Sequence, residues 1–387
     1  MSLSALSTPT RVIFGDGVRS QLADLVATHD APRVLLVATT SSLQRPAMAA
    51  LKAALEQVAP VAVWEKIRPN PRTSDVDDCY AAFKGAGITH VVGIGGGSAL
   101  DQAKAVAMAL SYGGNVAAML AAKALPDRTN TLILVPTTSG TGSELSYGSI
   151  LTDEATGQKL GLRGMQQAAD IALVDPELTW SLPTGESVVG GFDALAHAIE
   201  TWVSTAATPY TQDLSRGALT RIFRWLPVVH EDPTNARARR EMSYAAMAMG
   251  VNLALSTTCL PHRLQYPVGA ATDTAHGAGL AALYPAWLNH VRPYAEDKLA
   301  ACSDWLQLEP PTASSAERAD AFVRAMGEFM HHVDLHPHLS ELGVTPQMVD
   351  TFPAEVSGKL ETDPGYRGTD DITAIYQDAY ARAVERG

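Results

Sequence analysis

Short apolar runs alternate with helical patterns through the first half of the chain, and this alternation most constrains the fold. The runs are rich in β-branched residues and end in glycine, proline, serine or threonine, which predicts strands. They cover residues 33–39, 60–67, 89–97, 131–138 and 171–175. Helical patterns lie between them at 45–58, 74–87 and 98–113. Strands that alternate with helices predict a parallel sheet with both faces covered. Residues 144–153 and 159–163 predict a hairpin.

The second half of the chain has a different pattern. After LPTGES at 182–187 the strand signals stop, and from about Val188 the periodicity is helical and alanine-rich. We therefore predict an α/β domain over residues 1–184 and an all-helical domain over residues 185–387. Ligands of such proteins gather at the carboxyl ends of the strands and in clefts between domains.

The charge of the chain argues against two classes of binding partner, nucleic acids and anionic membranes. Lysine and arginine total 29 against 41 acidic residues, a net charge of −12. An acidic chain without a basic run does not favour binding to nucleic acid or to an anionic membrane. The chain contains no run of about 18 apolar residues, so we predict no membrane span. Three cysteines without a CxxC motif, and an N-terminus without a signal-peptide pattern, predict a cytoplasmic protein.

A glycine-rich loop, GIGGGSALDQAK at 93–104, joins a predicted strand to a predicted helix. Glycines permit close backbone approach, Ser98 is available to cap the helix, and a helix N-terminus offers free N–H groups to an anion. Either a pyrophosphate binds there or the glycines only make a tight turn. A second strand end, PTTSGTGSE at 136–144, either closes over the same phosphates or is a solvated loop.

Four side chains form a candidate metal site. Asp193 and His197 lie four residues apart in GGFDALAHAIETW, so a helix places them on one face. His262 follows a proline suited to a helix start, and His276 precedes a glycine-containing helix start. One carboxylate and three imidazoles suit Fe²⁺ or Zn²⁺ better than Mg²⁺ or Ca²⁺. The alternatives are an Asp193 that satisfies free N–H groups near a helix start and histidines bonded within a core. The histidine-rich stretch 331–339 predicts a surface loop.

Taken together, these motifs resemble the iron-containing (group III, metal-dependent) alcohol dehydrogenase family. The matching segments are GGGSALDQAK, PTTSGTGSE, DPELTWSLP at 175–183, GGFDALAHAIE, and His262 with His276. The resemblance implies the dehydroquinate synthase-like fold. In that fold an N-terminal Rossmann-like nucleotide domain precedes a C-terminal helical domain, and the active site lies in the cleft. It also implies a homodimer.

The resemblance assigns roles residue by residue. The family's metal ligands fall on Asp193, His197, His262 and His276, with Fe²⁺ as the first candidate ion and Zn²⁺ as the second. The cofactor it implies is NAD or NADP. The nucleotide positions fall on Thr39, Asn70, Gly95, Gly96, Gly97, Ser98, Asp101, Thr137, Thr138, Thr141, Ser143, Lys159 and Leu182.

Two departures from the family pattern concern specificity. Thr39 stands where many members carry an acid that binds the ribose hydroxyls, so we expect NADP(H) to be accepted and preferred. The alternative is NAD(H) held by neutral hydrogen bonds. Tyr266 stands where many alcohol-active members carry a second histidine; its phenol can relay a proton, although its ordinary pKa near 10 makes this harder. A tyrosine there resembles the hydroxyacid–oxoacid transhydrogenases. The adjacent Arg263 either draws an anionic substrate or lies at the surface, as most arginines do.

The resemblance implies reversible, metal-dependent hydride transfer between a small alcohol and a nicotinamide. Alternatives within the family are a hydroxyacid–oxoacid transhydrogenase and a reductase of an acidic carbonyl compound. Lyases similar to dehydroquinate synthase share the fold but lack the Asp/His pattern. Outside enzymology, the chain would be a nucleotide-binding module with a closed, structural metal site.

Overall fold

The computed structural model describes residues 7–122 and 124–382. The chain forms two compact units, which divide between Leu182 and Pro183. The prediction that the N-terminal segment carries no signal peptide falls partly on residues 1–6, which lie outside the described residues. No described helix is both long enough and apolar enough to cross a lipid bilayer.

The first unit is built on a six-stranded sheet and a separate hairpin. Its helices are α1 (Leu22–Ala27), α2 (Thr40–Leu43), α3 (Pro46–Val58), α4 (Thr73–Phe83), α5 (Gly97–Tyr112) and α6 (Val116–Ala121). Its strands are β1 (Arg11–Phe14), β2 (Val34–Val37), β3 (Val61–Trp64), β4 (His90–Gly95), β5 (Thr131–Pro136), β6 (Gly148–Thr152), β7 (Lys159–Arg163) and β8 (Ile171–Val174).

The six-stranded sheet has the order β1-β8-β5-β4-β2-β3, and every pairing in it is parallel. β6 and β7 form the predicted antiparallel hairpin. Each predicted apolar run contains one observed strand. β1 was missed because it is a short edge strand whose first two residues, Arg11 and Val12, are exposed. It therefore lacks the continuous apolar run that marks a buried parallel strand.

Both faces of the sheet are covered, as predicted. Leu35 and Val37 of β2 pack with α4 and α5, whereas Val34 and Leu36 pack with α1 and α3. Because successive side chains of a strand point to opposite faces, two cores result from one set of fully buried strands. Because β4 and β5 pair in parallel, their carboxyl ends lie side by side. These ends carry the glycine-rich loop and the strip at 136–144.

The second unit is helical, as predicted, and its described residues contain no strand. Its helices are α7 (Thr184–Val203), α8 (Pro209–Glu231), α9 (Ala236–Leu255), α10 (Leu260–Thr272), α11 (His276–Val291), α12 (Glu296–Leu306), α13 (Ser315–His332), α14 (Pro346–Glu355) and α15 (Thr369–Ala381). α7 is the central helix, since residues 191–201 are buried all round.

The prediction of a surface loop at residues 331–339 was correct only in part: residues 333–339 form neither helix nor strand, and His331, His332 and His336 are exposed. His331 and His332 are the last residues of α13. Val333, Leu335 and Leu339 in the same stretch are buried in the core of the second unit. The many histidines made the segment look polar, although the apolar residues between them are buried and fix the path of the chain.

Candidate functional site

The structure brings the predicted metal ligands together in the second unit. The Nε2 atoms of His197, His262 and His276 lie 3.5, 3.5 and 3.6 Å from Oδ1 of Asp193. Ligand atoms around one tetrahedral ion stand about 3.3–3.6 Å apart when the bonds are about 2.0–2.2 Å long. The ligand atoms of Asp193, His262 and His276 all lie within 4.8 Å of one another. His197 lies outside that mutual set but stacks on His262, with ring centroids 4.5 Å apart.

Burial and unpaired atoms indicate that this donor set fits a cation. Asp193, His197 and His262 are each less than 5% exposed. Among the described residues, neither Oδ1 of Asp193 nor Nε2 of His262 has a hydrogen-bond partner. Such atoms are costly to bury unless something pairs with them. The His276 side chain is 30% exposed, so the cluster has an accessible side. A ligand set with one open approach is typical of catalytic metal sites.

The charge states of the cluster also favour ligation. Burial opposes ionisation of Asp193, yet the imidazoles, His197 foremost, hold the pKa of this carboxyl well below its usual range. Burial lowers the pKa of His197 to about 4, outweighing the opposite effect of Asp193. At neutral pH the pair therefore offers a carboxylate and a neutral imidazole, which are the forms that bind metals.

Local sequence explains how these residues are placed. α7 begins at Thr184, so Asp193 lies in its third turn. The alternative in which Asp193 satisfies N–H groups near a helix start is therefore wrong. α10 carries Pro261 in its first turn, and α11 begins at His276 itself, so both remaining histidines lie at helix starts as predicted.

Two residues that the sequence analysis missed bind the outer nitrogens of the histidines. Oε1 of Glu200 lies 2.8 Å from Nδ1 of His262, and Oε2 of Glu200 accepts the N–H of Cys259 at 2.8 Å. Oε1 of Gln265 lies 2.5 Å from Nδ1 of His276. Because carboxylate and amide oxygens accept, each Nδ1 donates a proton, which makes each Nε2 the nitrogen that faces the cluster and that would bind a metal once it carries no proton. The available signal was helical spacing: Glu200 follows His197 by three residues, and Gln265 follows His262 by three.

A glycine at the start of α11 allows it to approach α7 closely. A Cβ on Gly277 would lie 2.2 Å from the carbonyl oxygen of Val189, a backbone atom that cannot rotate away. We expect Gly277→Ala to push α11 off α7, to destabilise the protein by about 1–3 kcal/mol and to weaken metal binding, because His276 is the preceding residue. Urea unfolding and metal titration measure the two effects.

Gly327→Ala is the matched control for that substitution. Gly327 lies within α13, and no described heavy atom lies within 4 Å of a Cβ built there. Alanine at an open helical position is expected to be neutral or to stabilise by up to about 1 kcal/mol. Equal urea midpoints and equal metal affinities for Gly277→Ala and the wild type would contradict the close-approach argument.

In the first unit, the two predicted nucleotide loops contact each other. The N–H of Thr137 donates to the carbonyl of Gly95 at 2.9 Å. A Cβ on Gly97 would lie 2.7 Å from Cγ2 of Thr141, and a Cβ on Gly96 would lie 3.3 Å from Cγ2 of Thr138. The glycines thus allow the two loops to pack closely, and a pyrophosphate site needs the same close approach of the backbone.

The helix after the glycine loop starts earlier than predicted. α5 begins at Gly97 after an N-cap at Gly96, and no side chain in the described part of the chain caps it. Ser98 lies within the first turn, so the prediction that it caps the helix is wrong. Residues 97–100, all of them described, include no acid. An uncapped, acid-free first turn in a helix of this length fits an anion.

Asp101 holds the second loop in place. Its Oδ1 accepts the Ser143 hydroxyl at 2.5 Å, and its Oδ2 accepts the N–H of Ile150 at 2.8 Å. The buried Lys104 ammonium lies 3.1 Å from the same carboxylate and donates to the carbonyl of Ser143 at 3.0 Å. Protein donors therefore already engage both oxygens of Asp101. A direct contact between Asp101 and a nucleotide stays a prediction.

The remaining predicted residues lie at several places. Nζ of Lys159 donates to Oδ1 of Asn70 at 2.5 Å, so these two meet. Thr39 follows β2 and caps α2, its hydroxyl accepting the N–H of Ser42 at 3.1 Å. Leu182 is buried at the end of the first unit. Tyr266 is half-buried on α10, and its hydroxyl accepts a hydrogen bond from Arg263 at 3.2 Å.

Comparison with known proteins yields full-length relatives. A choline dehydrogenase of Bacillus subtilis is 28% identical over 92% of this chain and 89% of that protein. A 1,3-propanediol dehydrogenase of Klebsiella pneumoniae is 26% identical over 83% of each chain. An iron-containing alcohol dehydrogenase structure from Thermotoga maritima matches with a TM-score of 0.85 at 26% identity, covering 98% of this chain and 100% of that one. A 1,3-propanediol oxidoreductase structure matches with a TM-score of 0.93 at 23% identity over 98% and 100%.

Family models match both parts of the chain. The model described as "Iron-containing alcohol dehydrogenase" matches residues 9–176. The model described as "Fe-containing alcohol dehydrogenase family, C-terminal" matches residues 187–380. The two matches cover nearly the whole sequence, and the fold and the clustered Asp/His side chains agree with them. The chain belongs to the iron-containing alcohol dehydrogenase family.

Proposed function

We propose that this protein is a metal-dependent, NAD(P)-linked alcohol dehydrogenase that interconverts a small alcohol and its carbonyl compound by hydride transfer. The observation that carries the proposal is the convergence of three imidazole Nε2 atoms within 3.5–3.6 Å of one buried Asp193 oxygen. A structural zinc site is usually closed, whereas the exposed edge of His276 leaves an approach for a substrate oxygen.

Asp193, His197, His262 and His276 would hold the metal ion, with Fe²⁺ first and Zn²⁺ second. When bound, a divalent ion supplies Lewis acidity toward a substrate oxygen. The chain's own residues do the rest of the work at this site. Glu200 and Gln265 accept hydrogen bonds from Nδ1 of His262 and of His276, which orients the Nε2 atoms of both rings toward the cluster. Tyr266, hydrogen-bonded to Arg263, is the group we assign to proton transfer.

The glycine loop and the strip after β5 would hold the nucleotide. When bound, the nicotinamide supplies a hydride acceptor or donor. The uncapped N-terminus of α5 would bind the pyrophosphate, and Thr39 at the end of β2 would accept the adenosine ribose. Because Thr39 carries no charge to repel a 2′-phosphate, we propose a preference for NADP(H).

The experiment that tests this function uses metal-free protein reloaded with Fe²⁺ or Zn²⁺. A panel of primary alcohols and aldehydes is assayed with NAD(H) and with NADP(H). We expect turnover only in the reloaded samples and a higher kcat/KM with NADP(H). Full turnover by protein verified as metal-free would refute the metal role, and a strong NADH preference would refute the role of Thr39.

The substrate has to be argued from this chain. The relatives are named for alcohols as different as choline, methanol and 1,3-propanediol. A second candidate is a hydroxyacid–oxoacid transhydrogenase, which Tyr266 and the buried Arg263 favour. Oxidation of a 4-hydroxyacid with 2-oxoglutarate, without added nucleotide, would support it. A homodimer stays a prediction that light scattering can check.

A further inference from the structure

A buried cation, Arg263, directly follows the candidate ligand His262 on α10 and has no acidic partner among the described residues. Arg263 is 5% exposed, so the alternative of a surface arginine is wrong. Its guanidinium donates to the Tyr266 hydroxyl at 3.2 Å and to the Thr257 hydroxyl at 3.1 Å. Its Nε is buried without a partner, and no described carboxylate forms an ion pair with it. Burying a charge against neutral acceptors alone is costly, which indicates that an anion completes the site.

Arg263 lies on the same helix as the candidate ligand His262 and as Tyr266, the residue assigned to proton transfer. Arg263 follows His262 directly, and Tyr266 lies one turn beyond His262 on the same face of α10. The hydrogen bond to Tyr266 therefore holds the guanidinium at the edge of the ligand-bearing face. Gly358, at φ +108°, packs against it: a Cβ there would lie 3.1 Å from Nε and 3.2 Å from Cδ. Any other residue at that position would crowd the guanidinium.

We propose that Arg263 binds the carboxylate of the substrate, so that this enzyme acts on short hydroxy acids and the matching oxo acids. The proposal rests on the proposed function, since it names the substrate class of the same site. A guanidinium presents its N–H groups in a planar fork that matches a carboxylate, and hydrogen bonds to described residues engage only two of those groups. A cationic substrate would be repelled by the same charge.

A pair of aldehydes of equal chain length tests the proposal in the wild-type enzyme. 4-Oxobutanoate carries the carboxylate, and butanal lacks it. We expect kcat/KM for 4-oxobutanoate to exceed that for butanal by about 30-fold or more, mostly through KM. Butanoate should inhibit competitively against 4-oxobutanoate.

Substitution of the arginine gives the second arm of the test. Arg263→Met should lower kcat/KM for 4-oxobutanoate by about 30-fold more than kcat/KM for butanal, so that the preference of the wild type for the carboxylate is lost. Arg263→Lys keeps the charge without the fork and should fall between the two. Arg324→Met is the matched control, because Arg324 lies on α13 with a side chain that is 61% exposed. It should leave both substrates unchanged.

The outcomes separate this proposal from the proposed function. If the wild type reduces both aldehydes equally and butanoate does not compete, Arg263 does not bind substrate, although the alcohol dehydrogenase assignment stands. If metal-loaded enzyme reduces neither aldehyde, the function fails. Calorimetric binding of butanoate to wild type and to Arg263→Lys then decides the carboxylate site alone, with equal or absent binding overturning it. The wild-type measurements hold even if Arg263→Met does not fold.

Discussion

Replacing His276 by alanine is expected to abolish tight metal binding and to lower turnover by about 1,000-fold, which corresponds to several kcal/mol of lost transition-state stabilisation. Its Nε2 is one of three atoms that converge on Oδ1 of Asp193, and the side chain is partly exposed, so its removal should not unfold the protein. Nucleotide binding should persist, because the glycine loop lies in the first unit. Metal content after dialysis, turnover and nucleotide fluorescence titration measure the three effects.

The control for that variant is His332→Ala. His332 ends α13 with a 53% exposed side chain that pairs with Glu231 at the surface. It should keep the metal content and turnover of the wild type. His262→Ala should match His276→Ala in activity but unfold more easily, because His262 is buried and bonded to Glu200. Stoichiometric metal and near-normal turnover in His276→Ala after treatment with a chelator would refute the metal site.

Glu200→Gln is expected to weaken metal binding by about 10- to 100-fold although all four ligands remain. The carboxylate accepts from Nδ1 of His262 through one oxygen and from the N–H of Cys259 through the other. An amide has only one oxygen, so its NH₂ group must face one of these donors. Against the effect of burial, Glu200 and then Asp193 raise the pKa of His262 to about 10. Without the charge of Glu200, His262 would be a less basic and therefore weaker ligand once its Nε2 has given up its proton.

Competition with a fluorescent chelator measures that loss of affinity directly, independently of turnover. Glu186→Gln provides the matched control, since Glu186 lies on the same helix in its exposed first turn. It should bind metal as the wild type does. If Glu200→Gln and Glu186→Gln bound metal equally tightly, orientation of His262 by Glu200 would be excluded as a source of affinity.

Much of the architecture was predictable because it depends on local periodicity. The apolar runs at 33–39 and 89–97 are strands because β-branched residues fill a sheet buried on both faces. Asp193 and His197 share a face because residues four apart do so in any helix. β1 was not predictable by the same reasoning, since half of that short edge strand faces solvent.

Other features depended on contacts that no local pattern encodes. Ser98 was predicted as a helix cap, but the helix begins at Gly97 and its N-cap is Gly96. The sequence left a surface position of Arg263 open as one of two alternatives, and only the structure shows that it is buried beside Tyr266 and Thr257. The carboxylate of Asp101 accepts from the Ser143 hydroxyl and from the N–H of Ile150 in β6, both more than 40 residues away, and its predicted contact with a nucleotide stays a prediction.

The sequence by itself determined the two-part fold, because strand and helix periods and glycine-rich turns are properties of neighbouring residues. The resemblance of its motifs to a known family gave the family and the candidate ligands. Only the tertiary structure decided that Nε2 of His262 and of His276 reaches the same oxygen of Asp193, and that Glu200 and Gln265 hold the opposite nitrogens. Those contacts arise where α7, α10 and α11 pack, and packing depends on the summed fit of many side chains that are distant in the chain.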